Sequence, residues 1–234
     1  MSNLYLQLDA GLGDNIICAG LLCYLQTKHQ VTIRIPPRQE FNRVSYESFF
    51  AGTGIKIIQP EEIPEETTPL IRQEQKIIPG KQVPVLNHQW IALESTPTKT
   101  KPYPIGFYQM FEEKYDIRMK YCPLRNNSFK VKQEPVMLKH YMFIHEDKKR
   151  GFEIDERKYN NGSLGRFYMN LQSNNSVLAY REIIENAEEI HCIDSSFFHL
   201  VNSFKPKGKL FYHTYAARPD APKFLMHPEW IRVK

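Results

Sequence analysis

The chain has 234 residues, of which 41% are hydrophobic and 24% charged, with a formal net charge of +5 and a pI near 8.9. That balance excludes a disordered or low-complexity chain and provides for a packed core, in one large domain or two compact lobes. The basic excess is dispersed apart from Lys148-Lys149-Arg150; it suits an anionic small molecule or weak attraction to a membrane surface, and it argues against nucleic acid as the partner.

Leu4-Tyr5-Leu6-Gln7-Leu8 reads as a strand, followed by a turn over Asp9–Asn15. Apolar residues at Ile16, Ile17, Ala19, Leu21, Leu22 and Leu25 then predict a buried helix from Ile16 to Lys28. Cys18 and Cys23 fall inside it; with Cys122 and Cys192 they form no CxxC pair and no zinc-finger spacing, so all four read as buried thiols. Val31–Ile35 is a second strand, stopped by Pro36-Pro37. A strand, helix and strand in succession imply a parallel pair and a right-handed crossover. Phe41–Phe50 reads as a helix and Ile55–Ile58 as a strand. Residues 60–104 are rich in Pro, Glu, Thr and Gln; only Lys76-Ile77-Ile78 and Val83-Pro84-Val85-Leu86 look strand-like there. Phe107–Tyr115 reads as a helix, and residues 122–135 as a linker.

After the linker the pattern restarts. Tyr141–His145, Glu189–Ile193 and Lys209–His213 read as strands, and Tyr180–Ala187 and Ser196–Ser203 as helices. The expectation is two lobes, residues 1–125 and 126–234, each an α/β unit with a parallel sheet. No stretch is apolar enough to span a bilayer, and residues 1–8 lack a signal-peptide pattern, so a cytoplasmic location is expected.

Three segments could carry chemistry. Gly11-Leu12-Gly13-Asp14-Asn15 lies between a strand and a helix, where glycines permit close backbone approach and a helix N-terminus offers N–H groups to a phosphate. Ile16 or Ile17 stands where a third glycine would be, and no acidic residue ends the second strand, which disfavours a dinucleotide site. The competing reading is a tight turn with Asp14 as helix cap. In Ile193-Asp194-Ser195-Ser196-Phe197-Phe198-His199, Asp194 can accept sugar hydroxyls, Ser195 and Ser196 can hold a phosphate, and His199 lies one helical turn further on. Here the competing reading is an N-cap and a core histidine. Lys148, Lys149 and Arg150 follow a strand and could neutralise a diphosphate, or form a solvated loop. Asn87-His88 and Tyr212-His213-Thr214-Tyr215 are weaker candidates, and His88, His140, His191, His213 and His227 share no spacing. No hydrolase elbow, P-loop, HExxH or DxD-type aspartate pair is present.

The Gly11–Ile17 segment resembles the N-terminal turn of the ADP-heptose:lipopolysaccharide heptosyltransferase family. Ala187–Leu200 resembles that family's donor-site segment, a strand followed by Asp-Ser-Gly and a helical His, with Ser196 in place of the glycine. The resemblance implies a GT-B-like α/β fold of two Rossmann-like lobes, with the acceptor on the first and a nucleotide-sugar donor on the second. It implies inverting, metal-independent transfer to a glycan or other hydroxyl acceptor, with no cofactor beyond the donor. Asp14 matches the candidate base, and Asp194, Ser195, Ser196 and His199 the donor contacts. Two rivals stand beside this reading: a non-catalytic nucleotide-sugar-binding module, and a phosphate-handling α/β hydrolase.

Overall fold

The computed structural model describes residues 1–8, 11–59, 68–71, 89–93, 103–125, 132, 138–158, 162–168, 176–204, 206–214 and 229–233, in two units, Met1–Phe129 and Lys130–Lys234. The predicted strands Lys76–Ile78 and Val83–Leu86, together with Asn87, His88, Tyr215 and His227, lie outside the described residues.

Unit 1 contains β1 (Asn3–Gln7), α1 (Leu12–Gln26), β2 (Gln30–Arg34), α2 (Arg43–Phe50), β3 (Lys56–Ile58), β4 (Thr68–Ile71), β5 (Gln89–Ala92), α3 (Tyr103–Gln109) and α4 (Ile117–Lys120). Its sheet has the order β3-β2-β1-β5-β4, every pairing parallel. A parallel sheet is normally covered on both faces. Leu4, Leu6, Val31 and Ile33 are accordingly buried on one face, and Tyr5, Gln7 and Thr32 on the other. Helix α1 packs on β2, and α2, α3 and α4 pack on α1. The Tyr108 hydroxyl of α3 donates to the Ile17 carbonyl at 2.7 Å. At Gly20 the approach of α4 is so close that an added Cβ would lie 2.1 Å from the Arg118 carbonyl oxygen.

Unit 2 contains β6 (Tyr141–His145), β7 (Gly165–Tyr168), α5 (Arg181–Asn186), β8 (Glu189–Ile193), α6 (Ser196–Ser203), β9 (Lys209–His213) and β10 (Trp230–Val233). The order is β10-β9-β8-β6-β7, again parallel throughout. The core under α6 is aromatic: the Phe198 ring lies 4.9 Å from that of Tyr212 and 5.1 Å from that of Trp230. Trp230 Nε1 donates to Asn202 Oδ1 at 2.9 Å, and Asn202 Nδ2 donates to the Phe198 carbonyl at 2.9 Å, which ties β10 to α6.

Several elements differ from expectation. Helix α1 begins at Leu12, not Ile16, so Gly13, Asp14 and Asn15 form its first turn. The helical signal near Phe41 divides into a 3₁₀ turn, Pro37–Asn42, and α2. Helix α3 starts at Tyr103 and stops at Gln109. Strands β4, β5, β7 and β10 add to the predicted set.

Candidate functional site

Both sheets have a point where the strand order reverses. In unit 1, β1 has β2 on one side and β5, reached much later in the chain, on the other. In unit 2, β6 has β7 on one side and β8 on the other. Ligands of open parallel sheets bind outside the C-terminal strand ends at such points. The Gly11–Asn15 segment follows the C-terminal end of β1, and the segments 146–150 and 194–196 follow those of β6 and β8.

At the β1 end, Gly11 is the N-cap of α1 with φ −67° and ψ 170°, and no side chain caps the helix. Asp14 is therefore not the cap; it sits in the first turn, where the helix dipole favours a carboxylate. An added Cβ on Gly11 would lie 3.7 Å from Asp14 Oδ2, so the carboxylate folds back over the cap. Asn15 is fully buried and its Nδ2 donates to the Tyr46 hydroxyl at 2.9 Å. Burial, with a contribution from the Asp14 charge, pushes Tyr46 up to about 12. Tyr46 remains a neutral phenol, and its bond to Asn15 anchors the turn that bears Asp14.

At the β6 end, Asp147 and Phe152 exchange backbone hydrogen bonds of 2.8 and 2.9 Å, closing a turn over Lys148–Gly151. Gly151 has φ +76°, a left-handed conformation that favours glycine. Lys148 pairs with Glu146 at 3.1 Å, and Arg150 pairs with Asp147 at 2.5 Å. The Arg150 guanidinium holds the Asp147 carboxyl below its usual range. Lys149 has no ion-pair partner among the described residues. The cation run is thus an ordered, exposed turn with two of its three charges engaged.

At the β8 end, Ser195 is the N-cap of α6 and its Oγ accepts from the Phe198 N–H at 3.5 Å. Asp194 occupies the bend before it, half-buried. The His199 N–H donates to the Ser195 carbonyl at 3.3 Å, and its ring is nearly buried, edge-on to Phe198 at 5.2 Å. The register pairs His145 with Cys192, which sets the ends of β6 and β8 side by side.

That register brings in a residue with no signal in the sequence. His145, the last residue of β6, is 9% exposed; its Nδ1 lies 3.1 Å from Ser195 Oγ, and its ring stacks on Phe197 at 4.7 Å and 19°. Burial lowers His145 to about 4, so the imidazole is neutral near pH 7. A second pair is also formed by register alone: His191 Nδ1 lies 3.0 Å from His213 Nε2, and His191 Nε2 lies 3.4 Å from Glu189 Oε2. Burial and the neighbouring His191 lower His213 to about 3. Tyr212 is fully buried and cannot stack on a base. Burial also raises the thiols of Cys18, Cys23 and Cys192, so none is a ready thiolate.

No family model matches the sequence, and no curated protein matches it. Among solved structures, the chain is similar to E. coli heptosyltransferase WaaC with ADP-2-deoxy-2-fluoro heptose, at 7% identity and a TM-score of 0.48, over 99% of this chain and 93% of that chain.

Proposed function

We propose that the protein is a GT-B-type, inverting, metal-independent glycosyltransferase that moves a sugar from a nucleotide-diphosphate donor to a hydroxyl acceptor. The observation that carries the reading is the placement of Asp194-Ser195-Ser196 between β8 and α6, beside the cationic turn that follows β6. In this reading the diphosphate sits at the N-terminus of α6, facing the dipole and the free first-turn N–H groups. Asp194 takes sugar hydroxyls, His199 supports the same helix turn, and Lys149 leads the cations that offset the leaving charge. Asp14, in the first turn of α1 at the switch point of unit 1, takes the proton of the acceptor hydroxyl; Gly11, Gly13 and Asn15 shape the turn that presents it.

Asp14→Asn preserves the size of the side chain and removes the base. The expected result is donor binding as in the parent chain, read by thermal shift with a panel of nucleoside diphosphates and nucleotide sugars in EDTA, and transfer reduced by about 10²–10⁴-fold. Transfer at the parent rate removes Asp14 from the mechanism; no shift with any nucleotide removes the donor site.

A further inference from the structure

We infer that Ser195 and His145 form a nucleophile–base dyad, giving unit 2 an acyl-transfer activity toward carboxylic esters that is independent of any nucleotide sugar. The inference goes beyond the transferase reading and uses no residue of unit 1.

Three features converge on Ser195 Oγ. The first is the base: an imidazole nitrogen at 3.1 Å is within reach of the hydroxyl proton. The second is orientation. The His145 ring is held by its stack on Phe197, by its place at the end of a fully buried strand and by a hydrogen bond to its own backbone, with Nδ1 toward Ser195. The Asp147 carboxylate and the Arg150 guanidinium of the neighbouring turn act on it in opposite senses. The third is the helix. Ser195 caps α6, whose eight residues leave the Ser196 and Phe197 N–H groups without an intrahelical partner. The residue after a nucleophilic serine is the usual source of an oxyanion-hole N–H. Ser195 differs from a strained elbow in being extended, at φ −159° and ψ 175°, so the strand–serine–helix arrangement is reached without backbone strain.

The step balances as follows. Ser195 Oγ attacks the ester carbonyl carbon, its proton passes to His145 Nδ1, and the carbonyl oxygen becomes an oxyanion facing the Ser196 and Phe197 N–H groups. Collapse breaks the ester C–O bond; the alcohol leaves with the proton from His145, and the acyl group remains on Oγ. A water molecule then gives its proton to His145, attacks the acyl carbon and releases the acid, and Ser195 regains its proton. A neutral histidine is the competent form, and burial keeps His145 neutral well below pH 7 while making it a weaker base than an ordinary imidazole, so catalysis rests on its fixed distance to Ser195 Oγ.

The test is covalent labelling of the full chain with a fluorophosphonate, read by intact mass and peptide mapping. Ser195 Oγ attacks the phosphorus as its proton goes to His145, the P–F bond breaks, fluoride leaves, and the phosphonyl group remains on Oγ. One adduct on Ser195 is expected, at a rate nearly flat from pH 6 to 9. Labelling is expected to be absent in Ser195→Asn, which keeps a capping side chain, and slowed about 10²-fold or more in His145→Gln. Circular dichroism of both variants checks that they fold. No adduct, an adduct elsewhere, or an undiminished rate in folded His145→Gln overturns the dyad. The nucleotide thermal shift reads the transferase proposal separately.

Discussion

Gly20→Ala is the sharpest test of the packing that holds α1. In an isolated helix the change is favourable by about 1 kcal/mol. Here the new Cβ would sit 2.1 Å from the Arg118 carbonyl oxygen and 2.8 Å from its carbonyl carbon, inside the 3.0 Å that real Cβ contacts respect. The obstacle is backbone, so no rotamer change relieves it, and α4 must move off α1 by about 1 Å. Overpacking of this kind costs about 1–3 kcal/mol, and backbone displacement puts it at the upper end. After the propensity gain, a net loss of about 2 kcal/mol is expected, a fall in Tm of roughly 5–15 °C for a unit of this size. Scanning calorimetry measures the loss, and hydrogen exchange localises it to peptides covering Leu12–Gln26 and Ile117–Lys120. A variant as stable as the parent, or more stable, refutes the close approach.

Two further outcomes concern unit 2. Burial lowers His145 to about 4 and His213 to about 3, against an ordinary value of 6.5. Below pH 6.5 the unfolded chain therefore binds more protons, so stability is full above that pH and is lost as pH falls toward the folded values. His145→Phe keeps a ring against Phe197 and is expected to remove up to about 3 kcal/mol of the loss between pH 7 and 4; urea midpoints at both pH values check it, and equal losses in parent and variant count against a buried neutral His145. Asn202→Leu leaves the buried indole N–H of Trp230 without its acceptor, an expected cost of about 1–3 kcal/mol in the same assay; a neutral result means that β10 is not held through this bond.

The sequence was most legible where burial and element coincide. Tyr141–His145, Glu189–Ile193, Ser196–Ser203 and Lys209–His213 have the bounds that the apolar runs and the Ser195 cap predict. Strand β7 was missed because it is an edge strand that starts with glycine and is half exposed, with no continuous apolar run. Strand β5, with four residues, is shorter than a periodicity can reveal. The start of α1 was misplaced because Gly-Leu-Gly-Asp has turn composition; the tertiary bond from Asn15 to Tyr46 holds that turn helical against its propensity. The His145–Ser195 and His191–His213 contacts depend on strand register across 50 and 22 positions, and register is not written in local spacing.

The place of β1 at the centre of its sheet has a consequence for how the protein is made. Its partner on one side, β2, follows at once, but β5 is about 80 residues downstream. At ribosomal rates of about 5–20 residues per second, that edge stays open for about 4–16 s. Among the described residues every pairing in the sheet is parallel and needs a crossover first, so none of them can shield that edge as a hairpin in the meantime. A nascent chain with an unpaired, leucine-rich central strand is a natural client for chaperones, and slowing synthesis between β3 and β5 would lengthen its exposure to aggregation.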